Sequence, residues 1–306
     1  MTGRACYFLV MGLTPARTIV RCSMIVVVAV AAAGCGNSFE TSLERLLEAR
    51  RLSTDLSIQF IKVADAGNRA VMADTDEASV AFTGEAAQAT LAVQKDIDAL
   101  GPILMALGYS NESGLLEEFS SRFGEYRALD QTILGLAVEN TNLKAQRLSF
   151  GSSQQGATAF SDALDAVTRS VPAKDRWQVH ALAATAVAAV REIQVLQAPH
   201  IAEAEDAAMT SMEKQMAVSE AAARRVVVTL AALVPPASRS QLDAATGALD
   251  RFMGVNAEII TLSRRNSNVR SLALSLGQKR TLTARCEETL LALQDALVKR
   301  DFGGRR

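Results

Sequence analysis

The chain has 306 residues, a formal net charge of −1, 49% hydrophobic residues and only 5% aromatic ones, with 6 Pro and 18 Gly. Alanine, leucine and charged side chains dominate and lose little rotamer freedom in a helix, so a β-sandwich or barrel is excluded in favour of helices. Two His and four Cys are little material for a metal or redox centre, no cofactor is expected, and the balanced charge offers no basic footprint for nucleic acid.

The N-terminal region reads as an export signal. Cys22 to Cys35 (CSMIVVVAVAAAGC) is apolar or small throughout, follows Arg4, Arg17 and Arg21, and contains no acid. It falls short of the ~20 residues that span a bilayer. A basic flank, a short apolar core and small residues at its end describe a secretory signal. Ala32-Ala33-Gly34-Cys35 resembles the lipobox of bacterial lipoproteins, with alanine at the first position where leucine is commoner. The resemblance implies removal of residues 1–34 and lipidation of Cys35; a plain cleaved signal or an uncleaved anchor is the alternative. Met11 as the start would give a more usual signal length. Loss of three Arg leaves a mildly acidic mature chain, held at the membrane by its lipid and not by anionic headgroups. Only Cys286 then remains free, on a helical stretch where a packed thiol is the ordinary reading.

Four long helical segments follow. The first runs from about Glu40 to Leu107, with Gly67, Gly84 and Gly101-Pro102 as expected kinks or breaks, and ends at the turn Gly108-Tyr109-Ser110-Asn111. The second carries Leu116, Phe119, Phe123, Tyr126, Leu129, Ile133, Leu136 and Leu143 at steps of mostly three and four, one apolar helix face. It meets a turn or kink at Gly151–Gly156, and Val171-Pro172 stops it, because proline disfavours α geometry in the residue before it. The third runs from Ala173 to Val234, kinked at Pro199 and ended by Pro235-Pro236. The fourth opens on Ser240-Gln-Leu-Asp243, which has capping-box spacing, and carries Phe252, Val255, Ile259, Leu262, Val269 and Leu276. Residues 301–306 form a polar tail. Short loops between long helices predict an all-α, up-down-up-down four-helix bundle, either one long bundle or two stacked ones.

Glu139–Gly151 aligns with Arg265–Gly277, pairing Asn140 with Asn266, Asn142 with Asn268, Leu148 with Leu274, Ser149 with Ser275 and Gly151 with Gly277. Upstream, Tyr126 pairs with Phe252 and Ile133 with Ile259. The chain therefore reads as two copies of one helical hairpin, 35–170 and 171–300, that bury their apolar faces together. Asn140 and Asn266 fall on the apolar stripes, where an amide is costly without partners. They either bond across the bundle and fix its register, or line a polar cavity for a small ligand with Asn142, Lys144 and Asn268, or face solvent if the stripes are misassigned.

Tyr126–Gly151, Asn68-Arg-Ala-Val-Met-Ala-Asp-Thr-Asp76 and Gln197-Ala-Pro-His-Ile-Ala-Glu203 resemble the extracytoplasmic four-helix-bundle sensors of methyl-accepting chemotaxis proteins. The resemblance spans most of residues 40–300, at a length nearer the bimodular version. It implies an all-α, non-enzymatic module that binds a small molecule, often an organic acid or amino acid, and relays occupancy by helix displacement. A second membrane helix and a coiled signalling hairpin are missing from this sequence, so the resemblance supports a bacterial envelope binding module that signals through a partner protein.

Other polar clusters are weaker. Asp74-Thr-Asp76 begins like a calcium loop but lacks its later ligands, so Asn68, Arg69, Asp74 and Asp76 read as a solvated face or helix cap, with Arg69 able to hold a ligand carboxylate. His200 follows Pro199 and reads as bonding to carbonyls freed by the kink, or as a ligand contact. Neither histidine has the Glu-x-x-His spacing of a di-iron bundle. Met209, Met212 and Met216 read as core filling.

Overall fold

A computed structural model describes residues 18–300, with side chains from Glu40 onward; residues 301–306 and residues 1–17 of the expected signal lie outside it, as does the side chain of Cys35. Among the described residues the regular elements are all helical: α1 (Thr18–Val71), α2 (Asp76–Leu107), α3 (Ser110–Glu139), α4 (Thr141–Leu148), α5 (Gln154–Ser170), α6 (Arg176–Ala202), α7 (Asp206–Leu233), α8 (Arg239–Arg265), α9 (Ser267–Leu274) and α10 (Arg280–Val298). A π-helical turn joins α4 to α5 (Ser149–Ser153) and another joins α9 to α10 (Ser275–Lys279).

The all-α architecture takes the form of two four-helix bundles stacked end to end. The proximal bundle holds α1, α2, α3 and α10 around Leu56, Phe60, Phe119, Phe123, Tyr126 and Leu293. In its aromatic knot Phe60 stands edge-on to the stacked rings of Phe119, Phe123 and Tyr126, with Phe60 and Phe119 centroids 5.9 Å apart at 88°. The distal bundle holds α5, α6, α7 and α8 around Phe160, Leu164, Val190, Ile193, Leu249 and Phe252. Each repeat therefore sends its last helix into the other repeat's bundle: α5 packs on α6 and α8, and α10 packs on α3 and α1. Neither repeat buries its own apolar faces alone.

Several boundaries follow the expected chemistry. Gly108 ends α2 at φ 69, and the amides of Gly108 and Tyr109 return to Met105 and Leu104 carbonyls, a left-handed cap that glycine adopts without strain. Val171 is extended before Pro172, and Val234 is extended before Pro235. Other breaks lie elsewhere. Gly67, Gly84 and Gly101-Pro102 all stay helical, as does Pro199 within α6. The first segment breaks at residues 72–75 instead, where Thr75 Oγ1 accepts from the Ala78 amide at 3.1 Å and Asp76 and Glu77 sit in the first turn, favourable to the helix dipole. The third segment breaks at residues 203–205, the matching place in the second repeat, since α7 begins 130 residues after α2. The fourth segment opens with Ser238 at the cap position of α8, not Ser240, and Ser238 Oγ bonds the Ser170 carbonyl.

The apolar stripes also change phase. Leu116 to Leu136 are buried, apart from a half-buried Leu129, but Leu143 and Val269 are only half-buried and Leu276 is 67% exposed. The left-handed turn at each asparagine rotates the following helix, and each π turn adds a residue, so the inward positions become Thr141, Asn142 and Ala145, then Phe160, Leu164 and Val167.

Candidate functional site

The waist between the bundles is where the predicted asparagines meet. Asn140 and Asn266 adopt positive φ, 49° and 53°, the only non-glycine residues to do so among those described. Asparagine tolerates this region better than other side chains, which is why α3 and α8 end there without glycine. Each asparagine starts a new helix, whose first amide groups lack intrahelical acceptors. The two repeats supply them to one another across a pseudo-two-fold axis. The Thr141 amide donates to Ser267 Oγ at 3.1 Å and the Ser267 amide to Thr141 Oγ1 at 3.0 Å. The Asn142 amide donates to Asn268 Oδ1 and the Asn268 amide to Asn142 Oδ1, both at 3.1 Å. These partners are 126 residues apart, the repeat offset. Arg265 and Glu139, also at that offset, close the rim as a bidentate pair, which holds the Glu139 carboxyl below the usual carboxylate range.

The side-chain amides are almost fully used. Asn142 Nδ2 donates to the Ile201 carbonyl at 2.6 Å and to Asn266 Oδ1 at 2.7 Å; Asn266 Nδ2 donates to the Glu203 carbonyl at 2.7 Å; Asn268 Nδ2 donates to Asn140 Oδ1 at 2.8 Å. Asn140 Nδ2 is buried with no partner. Asn140 and Asn266 thus bond across the molecule through Asn268 and Asn142 respectively, not to each other. Lys144 Nζ turns back to the Glu139 carbonyl at 2.9 Å.

Two grooves flank this layer at equivalent places. One, about 340 Å³, is lined by Asn142, Asn268, Ser149 and Phe150. The other, about 470 Å³, is lined by Asn68, Ser275, Leu276 and Lys279. Asn68 therefore lies beside the waist, with Ser275 Oγ donating to its Oδ1 at 3.3 Å. Arg69 lies away from both, bound to Glu85 at 2.9 Å and stacked on Phe82 at 3.9 Å.

His200 is fully buried, and its bonds are not to carbonyls freed at Pro199. Its Nδ1 meets Ser263 Oγ at 2.7 Å and its Nε2 meets Glu213 Oε1 at 2.9 Å. Arg264 holds Glu213 from the other side at 2.7 and 2.9 Å, and this bidentate bond is the main reason the Glu213 carboxyl lies below its ordinary value. A Ser-His-Glu series suggests acyl transfer, but Ser263 is completely buried and donates to the Ile259 carbonyl within its own helix. The series ties α6, α7 and α8 together in the distal bundle next to the waist.

Beyond the waist, on its two sides, the repeats differ. In the distal bundle Gln197, Asn256 and Ser153 form a closed polar layer: Gln197 Nε2 donates to Asn256 Oδ1 at 2.9 Å and Ser153 Oγ donates to Gln197 Oε1 at 3.1 Å. The matching proximal positions are Gly67, Asp130 and Lys279, a buried ion pair with Nζ 2.7 Å from Oδ1 and side chains 2% and 5% exposed. A Cβ at Gly67 would stand 2.4 Å from Lys279 Nζ, so glycine makes the space that the ammonium occupies. Although the two charged atoms are in contact distance, neither completes a well-aligned hydrogen bond, and the Tyr126 hydroxyl nearby is also unpartnered. Burial pushes the Asp130 carboxyl up, and Lys279 offsets this only in part. Sequence reasoning missed this pair, although the repeat alignment places Asp130 on Asn256 and Lys279 on Ser153.

Cys286 packs in the proximal core with its thiol pushed up to about 12 by burial, the inert thiol expected. Met209 and Met216 are core residues and Met212 is half-buried. Asp76 pairs with Arg147 at 3.3 Å beside the waist. Among the described residues no group of three His, Cys, Asp or Glu could hold a metal.

No protein family, curated protein or solved structure matches this chain.

Proposed function

We propose that this chain is a non-catalytic, sensor-like binding module of the bacterial cell envelope, working through a partner protein, whose two bundles are coupled at the waist. One observation carries the reading. The reciprocal capping of α4 and α9, with the crossing of α5 and α10 into opposite bundles, means that neither bundle can shift without moving the other's helix starts. Coupling of this kind suits a module that passes occupancy at one end to the other. The lipobox-like Ala32–Cys35 and the resemblance to chemoreceptor sensors support the envelope setting.

The test is hydrogen exchange on the intact chain and on an Asn142→Leu/Asn268→Leu double variant. Coupling predicts that α2 and α7 of the wild type share one opening free energy, and that the variant splits them into two. Independent opening of α2 and α7 in the wild type would refute it.

A second reading has its own support. The two waist grooves border Asn142, Asn268 and Asn68, and either could hold a small polar molecule. A metabolite that raises the melting temperature of the wild type, but not of a Ser149→Trp variant obstructing the smaller groove, would favour it. The internal use of every asparagine side-chain amide at the waist except Asn140 Nδ2 weighs toward the partner-protein reading.

A further inference from the structure

The outer face joining α6 and α7 exposes apolar side chains. The most apolar window of α6 is only 33% buried, so most of it faces outward. Between α6 and α7 runs a trough of about 830 Å³. Its floor includes Leu196, and on either side stand Val195 and Val218, 73% and 67% exposed. The lining recurs at steps of three and four along both helices, from Ala188 to Leu196 and from Ser211 to Ser219, a length of ~12 Å or just over two turns. That spacing is the seat that two packed helices offer to the ridge of a third.

The repeat provides an internal comparison. At the same place in the proximal bundle, between α1 and α2, the trough is crossed by charge: Arg69 reaches Glu85 at 2.9 Å and Asp65 at 3.7 Å while lying on Phe82. Between these helices the repeats lie 130 residues apart, as the starts of α2 at Asp76 and α7 at Asp206 show, so the matching distal residues are Pro199 for Arg69, Gln215 for Glu85 and Val195 for Asp65. The bridge is gone and an apolar floor is uncovered. The charges are also rearranged: Arg191 stands on the α6 bank where the first repeat has Ile61, Lys214 on the α7 bank where it has Gly84, and Glu192 takes the place of Lys62. The one acid in the trough, Glu192, is engaged by the Ser219 hydroxyl at 2.9 Å.

From this difference we infer that the α6–α7 trough is the docking surface for a partner's amphipathic helix, one with an aliphatic ridge and acidic residues on both flanks. The ridge would cover Val195, Leu196 and Val218, and the acids would meet Arg191 and Lys214. The inference rests on the reading of the chain as a partner-binding module and names the surface and the chemistry of the partner.

The test measures fluorescence anisotropy of a labelled, stapled helix with a leucine-valine ridge and glutamate flanks, titrated with the full-length protein. The same ridge with lysine flanks and a scrambled sequence are the controls. The acidic helix is expected to bind, more weakly as salt rises, and the lysine-flanked one is not. Val195→Asp restores the first repeat's residue and is expected to weaken binding at least about tenfold. Arg191→Glu/Lys214→Glu is expected to reverse the preference toward the lysine-flanked helix. Both variants change exposed side chains, so their melting temperatures should match the wild type. Absence of binding, equal binding of both charge types, or insensitivity to these variants would overturn the inference. So would full displacement of the peptide by oleate at stoichiometric levels, or occupation of the trough by a second copy in sedimentation. None of the variants touches the waist, so a failure here leaves the coupling reading to its own hydrogen-exchange test.

Discussion

Replacing Asp130 by alanine strands the Lys279 ammonium in the proximal core. Its side chain is 2% exposed and Asp130 is the acid it contacts, at 2.7 Å. Breaking one side of such a buried pair costs about 3–5 kcal/mol, because the remaining charge is neither solvated nor compensated. The distal bundle states what would replace the pair without loss. There the same three positions carry Gln197, Asn256 and Ser153, bonded to one another without a charge. Gly67→Gln/Asp130→Asn/Lys279→Ser should therefore transplant a closed neutral layer. Swapping a buried ion pair for a satisfied uncharged arrangement ranges from neutral to about 1–4 kcal/mol stabilising. Gly67→Gln alone should be damaging, since its Cβ would stand 2.4 Å from Lys279 Nζ and must displace the lysine from its acid. The triple variant should thus be more stable than either Gly67→Gln or Asp130→Ala, a strong non-additivity expected of residues in contact. Urea unfolding followed by circular dichroism gives the free energies, and exchange at α3 and α10 locates the effect. An Asp130→Ala cost below about 1 kcal/mol, or a triple variant no better than its worst member, would refute the account of the pair.

Other consequences are direct. Asn266→Ala puts a residue that tolerates the left-handed region less well than asparagine at φ 53° and leaves the Glu203 carbonyl and the Asn142 side-chain amide each short of a partner; a loss of about 2–4 kcal/mol in urea unfolding is expected, and less than 1 would argue against the amide layer. Glu112, Glu139 and Glu213 lie below their unfolded value of 4.5 because Arg300, Arg265 and Arg264 bond them. Depressed acids contribute stability that is complete above pH 4.5 and lost as pH falls through the folded values, so acid unfolding should begin below that point, and Glu112→Gln should flatten its slope. Fragments 36–170 and 171–306, produced together, should assemble into one helical particle, whereas each alone should aggregate or remain partly folded, because α5 and α10 belong to the opposite bundle. Cys286 should resist a thiol reagent in the native protein at pH 8 and react at once in denaturant, as fits a thiol pushed up to about 12 in a buried site.

Asn140 and Asn266 show how far local pattern reaches. Their place on apolar stripes and their recurrence between repeats single them out, since an amide on such a face needs a partner. Their mode of use was not legible. Asn140 and Asn266 end helices at positive φ, and the following residues cap the helix of the other repeat, so a stripe drawn straight through them misplaces Leu143, Val269 and Leu276. His200 was conspicuous, but its partners Glu213 and Ser263 lie on α7 and α8, beyond the reach of any spacing rule. The buried Lys279–Asp130 pair was hidden because a charged residue on a helix is ordinarily at the surface, and only Gly67 on a third helix makes room for it.

Composition and periodicity determined that this chain is helical, where proline stops it and that its halves repeat, because helix formation and capping depend on neighbours within a turn or two. Tertiary structure decided that the last helix of each half joins the other's bundle, that two amide-bearing turns cap one another, and that one bundle holds a charge pair where its twin holds a neutral layer. Those outcomes depend on which surfaces meet across more than a hundred residues of chain, and burial is settled only when they meet.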